Sequence, residues 1–308
     1  MKVIYELGTI RFQKTVIAIG VFDGVHRGHQ LLIDSAVTQA RKLKAKAMVI
    51  TFFPHPAHVL STKNPLPYLM SLEHRLEVFQ ARGVDIVWVV RFNKRFSRID
   101  PRYFIEEILV KQLGIKSVFV GENFRFGKDR SGDIGLFKDL SKKFGFNLYA
   151  LKPIKYAREI ISSGRLRRLI PEGNLDLAQK LLGRPVSVLG QVVKGASRGK
   201  ELGFPTANIK YCCEVLPPLG VYVVRVTWKG KACYGMANLG IRPSFTDKGS
   251  KVHLEVHIFD FSKDLYGQSI LVEFLKKIRE EKYFPSKEKL ISQIQKDERI
   301  IRKFLPSL

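Results

Sequence analysis

The stretch Gly20-Val21-Phe22-Asp23-Gly24-Val25-His26-Arg27-Gly28-His29 follows the apolar run Thr15–Ile19 and precedes the helix-like Gln30-Leu31-Leu32-Ile33. Three glycines and two histidines therefore crowd the point where a strand turns into a helix. Gly28 leaves room beside the backbone for a bulky anion. The i, i+3 spacing puts the His26 and His29 imidazoles on one side of the opening helical turn. Together with the amino terminus of a helix, these residues make a phosphate site.

The pattern repeats outward from that point. β-branched runs at 16–22, 47–53, 86–92, 117–121 and 147–151 alternate with helical patterns at 29–44, 72–82, 101–113 and 134–144, as in parallel βαβ units. Such a sheet carries helices on both faces and binds ligands beyond the carboxyl ends of its strands. Two short helical patterns fill 161–182, split by Pro171-Glu172-Gly173-Asn174. After Leu182-Gly183-Arg184-Pro185 the texture changes to period-2 runs at 186–193, 221–228, 233–239, 252–259 and 269–275. These predict a small antiparallel barrel, with 286–304 as a capped amphipathic helix over it. The expected division is therefore 1–184 and 185–308.

At 308 residues and 45% hydrophobic content, the chain can build two cores. Its apolar runs are strand-length and its start has no secretory pattern, so neither a membrane span nor export is expected and the cytoplasm is the expected location. Cys212, Cys213 and Cys233 fit neither a zinc spacing nor a disulfide framework. The net charge of +25 is spread over both halves, with 32 Lys and Arg against 16 Asp and Glu through residue 184 and 21 against 12 beyond it. That distribution reads as a solvated basic surface rather than a nucleic-acid tail.

The opening decapeptide resembles the signature of HxGH nucleotidyltransferases, specifically the bacterial bifunctional riboflavin kinase and FAD synthetase family. The similarity continues through TFFPHP at 51–56, VGENFRFG at 120–127 and ISSGRLR at 161–167. The resemblance implies a Rossmann-like α/β nucleotidyltransferase domain that transfers AMP from ATP to FMN, giving FAD and pyrophosphate. It implies ATP on Gly20, Phe22, Asp23, Gly28, Gly121, Ser162, Ser163 and Arg167, flavin on Asn123 and Arg125, and adenylyl transfer by His26 and His29 with magnesium. Gly164 stands where the family usually has threonine, and the backbone N–H groups there are expected to suffice.

In the second half, LGFPTANI at 202–209 reads as a turn between strands with a hydroxyl and an amide on offer. The segment 195–201 is no P-loop, being a residue short and carrying Glu201 after Lys200. PTAN is nevertheless similar to the mark of riboflavin kinases, as are PLGVY at 218–222, NLGIRP at 238–243, LEVHI at 254–258, DLYG at 264–267 and LKKIR at 275–279. The resemblance implies a six-stranded antiparallel kinase barrel with a C-terminal helix, making FMN from riboflavin and ATP. Thr206 and Asn208 would bind magnesium and the ATP phosphates, Glu255 would be the catalytic base, and Arg279 would contact flavin. Trp88 reads as core and Trp228 as packing. The basic run Arg91, Lys94, Arg95 and Arg98, with Phe92 and Phe96 interleaved, reads as a surface flap. The alternatives are a chain with only one of the two activities retained, or a basic RNA-binding protein. Small molecules are the expected partners.

Overall fold

The computed structural model describes residues 1–61, 66–195, 199, 202–213, 215–241 and 252–305. Much of the 195–201 segment, and Arg242 and Pro243 of the NLGIRP stretch, lie outside the described residues.

Six parallel strands form the first sheet: β1 (Lys2–Ile4), β2 (Thr15–Ile19), β3 (Lys46–Phe53), β4 (Ile86–Arg91), β5 (Ile115–Gly121) and β6 (Asn147–Leu151), in the order β1-β4-β3-β2-β5-β6. β2 is buried at every residue and β4 at all but its last, as continuous Val and Ile runs require when both faces are covered. β1 was not legible in the sequence because it is three residues long and shows no period. The chain runs from β2 outward through β3 and β4, then crosses back to place β5 on the other side of β2. The carboxyl end of β2 therefore lies at the point where the winding reverses, and crevices in such sheets open there.

The helices of this unit are α1 (Arg27–Lys42), α2 (Pro56–Leu60), α3 (Leu72–Ala81), α4 (Pro101–Tyr103) and α5 (Ile134–Phe144). The helix expected at 101–113 is α only in its first turn. It continues as a π-helix over Phe104–Gln112. Trp88 is core, packed with Ile19, Ile50 and Phe104.

Six antiparallel strands close the barrel: β9 (Val186–Val193), β10 (Ala207–Tyr211), β11 (Gly220–Trp228), β12 (Lys231–Ile241), β13 (Val252–Ile258) and β14 (Ser269–Arg279), ordered β10-β13-β12-β11-β14-β9. β7 (Lys155–Tyr156) and β8 (Glu159–Ile160) make a separate small hairpin. α8 (Lys287–Phe304), capped by Ser286, lays Ile301 on Val221, Val223, Met236 and Phe259. This covering helix explains why 220–224 are buried without alternation: Tyr222 packs on Phe274, while Val221 and Val223 meet the cluster around α8.

The contacts of the chain divide it into 1–67 with 72–165, and 68–71 with 166–308. The division falls earlier than the 184/185 boundary expected from texture, because α7 (Leu175–Leu182) packs on β9. α6 (Ser163–Leu169) straddles it.

Candidate functional site

The turn after β2 is held in an unusual conformation by its neighbours. Phe22 (φ 53°), Gly24 (φ 84°) and Val25 (φ 37°) all lie at positive φ, which is costly for a β-branched valine. Side chains from four other elements grip the carbonyls of this turn. Thr51 Oγ1 and Arg75 Nη1 both donate to the Val21 carbonyl, at 2.8 and 2.9 Å. Ser163 Oγ donates to the Asp23 carbonyl at 2.7 Å, and Gln30 Nε2 to that of Val25 at 2.8 Å. A strained loop persists only when its surroundings over-determine it, and such loops cluster at functional sites.

His26 caps α1. Its Nδ1 accepts the His29 backbone N–H at 3.3 Å, so a neutral ring carries its proton on Nε2. The two imidazoles stack, with centroids 3.6 Å apart and planes 20° from parallel. His26 is 5% exposed, while His29 stands partly open. A Cβ on Gly28 would meet His26 Cε1 at 3.2 Å, so the absence of a side chain there leaves room for the imidazole. Phe22 is fully buried, edge-on to His29 at 5.3 Å and to Phe79. Its ring packs between the two and fixes the histidine from one side. Asp23 is likewise buried. Gly121 ends β5 with open space where a Cβ would stand.

Beyond the carboxyl ends of β2, β3 and β4 lies a cavity of about 860 Å³, a size that suits a small organic ligand. Gly20 and Val21 line it, with Phe52, Phe92, Phe96, Asn123 and Arg125. The basic segment read as a surface flap is thus part of the cavity wall, contributing Phe92, Lys94, Phe96 and Arg98. Arg125 is paired with Asp133 at 2.8 Å. The Leu136 N–H first, and then Arg125, hold the Asp133 carboxyl below its ordinary range. Arg167 follows one turn after Ser163 on α6 and falls in the second unit.

In the barrel, Ala207 and Asn208 are strand residues rather than the turn residues expected. The register pairs Asn208 with Glu255 and Glu255 with Asn238. Directly paired residues point to the same face, so these three form a row across β10, β13 and β12. Leu254 and Val256 are buried on the opposite side. A Cβ on Gly195 would fall 2.1 Å from Asn208 Nδ2, and one on Gly199 would fall 2.8 Å from Thr206 Oγ1. Glycine at both positions lets the backbone there approach the two side chains. His257, on the Glu255 face, hydrogen-bonds the Pro205 carbonyl at 2.8 Å and so fixes the chain next to Thr206. Arg279 is engaged elsewhere: its Nε meets Asp297 Oδ2 at 2.8 Å, and the Asp297 side chain is 1% exposed. Gln293 Nε2 donates to the other Asp297 oxygen.

Sequence reasoning missed Thr51, Arg75, Asn238 and Asp297. Arg75 carried a faint signal, being an arginine on the buried stripe of α3.

Residues 9–165 match the family described as FAD synthetase, and residues 182–305 that described as riboflavin kinase. A curated bifunctional riboflavin kinase/FMN adenylyltransferase of Escherichia coli strain K12 is 39% identical over 98% of this chain and 96% of its own length. One of the same name from Buchnera aphidicola of Schizaphis graminum is 37% identical over 94% of each chain. A crystal structure described as a macrolide-efflux protein of Streptococcus pneumoniae superposes with a TM-score of 0.80 at 30% identity, covering 97% of this chain and 98% of that one. Among the described residues, no helix is long and apolar enough to cross a membrane.

Proposed function

The chain belongs to the bifunctional riboflavin kinase and FMN adenylyltransferase family, and from that premise we propose that it makes FMN from riboflavin and ATP in the barrel and FAD from FMN and a second ATP in the amino-terminal unit. The observation that supports this most directly is His26, the cap of α1, stacked on His29 at the reversal point of the sheet, where Gly20 and Val21 of the same turn line an aromatic cavity.

The two acceptors set different chemical demands. The FMN phosphate is already ionised at neutral pH, since a phosphate monoester has a second pKa of about 6. No protein base is needed for it to attack the α-phosphorus of ATP and expel pyrophosphate. The site has to align two anions and stabilise the charge that develops, which suits the α1 amino terminus, His29 and a His26 Nε2–H. Ser162, Ser163 and Arg167 serve the ATP phosphates, and Asn123 and Arg125 the flavin.

Riboflavin instead offers an alcohol, which must lose its proton as its oxygen attacks the γ-phosphorus and ADP leaves. Glu255 takes that proton. Thr206 and Asn208 present the hydroxyl and carboxamide oxygens that suit magnesium, an ion usually held by one or two protein groups plus phosphates and water. When bound, magnesium would neutralise charge on the phosphates. The substrates are small and soluble, so the reading requires neither a membrane nor a nucleic acid, and the cytoplasm supplies ATP.

The test is purified protein with riboflavin, ATP and magnesium, followed by chromatography. FMN should appear first and FAD after it. Glu255→Gln should keep ATP binding, lose most riboflavin phosphorylation and still convert added FMN to FAD. Absence of both products from the wild-type chain overturns the reading.

A further inference from the structure

Glu255 sits between two carboxamides, and these differ in what they face. Asn208, assigned to magnesium and the ATP phosphates, lies under Gly195. Asn238 is paired with Glu255 on the other side, where side chains directly opposite each other stand about 4.5–5.5 Å apart at Cβ. Two residues further along β12, on the same face, is Gly240. The point where its Cβ would stand is 2.1 Å from Glu281 Oε1 and 3.1 Å from Asn238 Nδ2. Glu281 Oε2 also accepts the Ile241 N–H at 3.4 Å. Glu281 thus lies across Gly240, at a place that a side chain there would contest, and Asn238 has a carboxylate to either side.

We propose that Asn238 is a positioning residue of the kinase site, its side-chain amide set between Glu255 and Glu281 and fixing the direction in which the Glu255 carboxylate points. A carboxamide nitrogen carries two N–H donors, one for each neighbour. Two carboxylates on one face without an intervening donor repel each other. A base must reach the acceptor hydroxyl by a hydrogen bond while that oxygen attacks in line with the leaving group, and a misplacement of about 1 Å costs on the order of 100-fold. The inference rests on the reading of Glu255 as the base.

Asn238→Asp keeps the shape of the side chain and removes both donors. Its kcat for riboflavin phosphorylation should fall by about 100-fold, while KM for ATP stays within about two-fold, as expected when alignment rather than binding is lost. Asn238→Ser, which keeps one donor, should recover part of the rate. An Asn238→Asp enzyme with kcat within about two-fold of wild type, or one whose loss lies wholly in the KM for ATP, overturns the proposal. Glu255→Gln, assayed alongside, separates the premise from the inference. Normal kinase turnover in Glu255→Gln removes the premise. A dead Glu255→Gln beside a normal Asn238→Asp removes the positioning role alone.

Discussion

Gly195→Ala tests the placement of Asn208 at one atom. The added Cβ would lie 2.1 Å from Asn208 Nδ2, 2.4 Å from Cγ and 2.7 Å from Oδ1, whereas ordinary contact begins at 3.4 Å. Either the Asn208 carboxamide or the backbone at residue 195 must therefore retreat by about 1 Å, since repulsion at such distances far exceeds any dispersion gain. Displacement of that size at a group aligning the phosphates costs on the order of 100-fold in rate, or about 2.7 kcal/mol. The assay is chromatographic and uses two starting points. From riboflavin, FMN formation should fall by about that factor; from FMN, adenylylation should be unchanged, because Gly195 belongs to the barrel unit. Asn208→Ala removes the atoms that the new methyl would strike. In that background Gly195→Ala should add little further loss, giving a coupling close to the full effect. A Gly195→Ala enzyme with unimpaired kinase activity, or an undiminished penalty in the Asn208→Ala background, refutes the argument.

Ser163→Ala deletes the hydroxyl that holds the Asp23 carbonyl and should slow FAD formation from FMN while sparing FMN formation, as separate assays of the two steps will report. Asp297→Asn leaves the largely buried Arg279 without its charged partner and should destabilise the barrel by about 3 kcal/mol, read from urea unfolding. Gly164→Thr should leave FAD formation near the wild-type rate, because a Cβ there meets only Ser162 Oγ, at 3.9 Å. The Tyr211 hydroxyl donates to the Val252 carbonyl, and burial, followed by the nearby Cys213, pushes its pKa up to about 12 from 10.0. The folded chain then holds this proton where the unfolded chain has lost it. The stabilisation is complete below pH 10 and disappears as pH rises toward 12. Tyr211→Phe should lessen that alkaline loss in denaturant melts, and Tyr222, also raised by burial, adds to it in the same direction.

Local pattern was enough to determine the order of most elements and the change from βαβ units to a barrel, while the chemistry expected of the histidine turn and the PTAN stretch came from the family resemblance. Helical and strand periods are properties of neighbouring residues, and a capping histidine or a loop glycine acts within a few positions of itself. Short β1 and β10 escaped because three to five residues carry too little period to stand out, and β10 also follows Gly203 and Pro205. What brings Asn208, Glu255 and Asn238 into one row is the register around a closed barrel, a relation between strands dozens of residues apart. The same holds for Thr51 and Arg75 on the Val21 carbonyl, for Phe92 and Phe96 in the cavity wall, and for Asp297 on Arg279. A side chain's type limits what it can donate or accept, but which partner it meets is decided only when distant segments pack. For that reason the tertiary structure alone showed the Phe22 ring buried against His29 and Phe79 and the His26 imidazole beside Gly28.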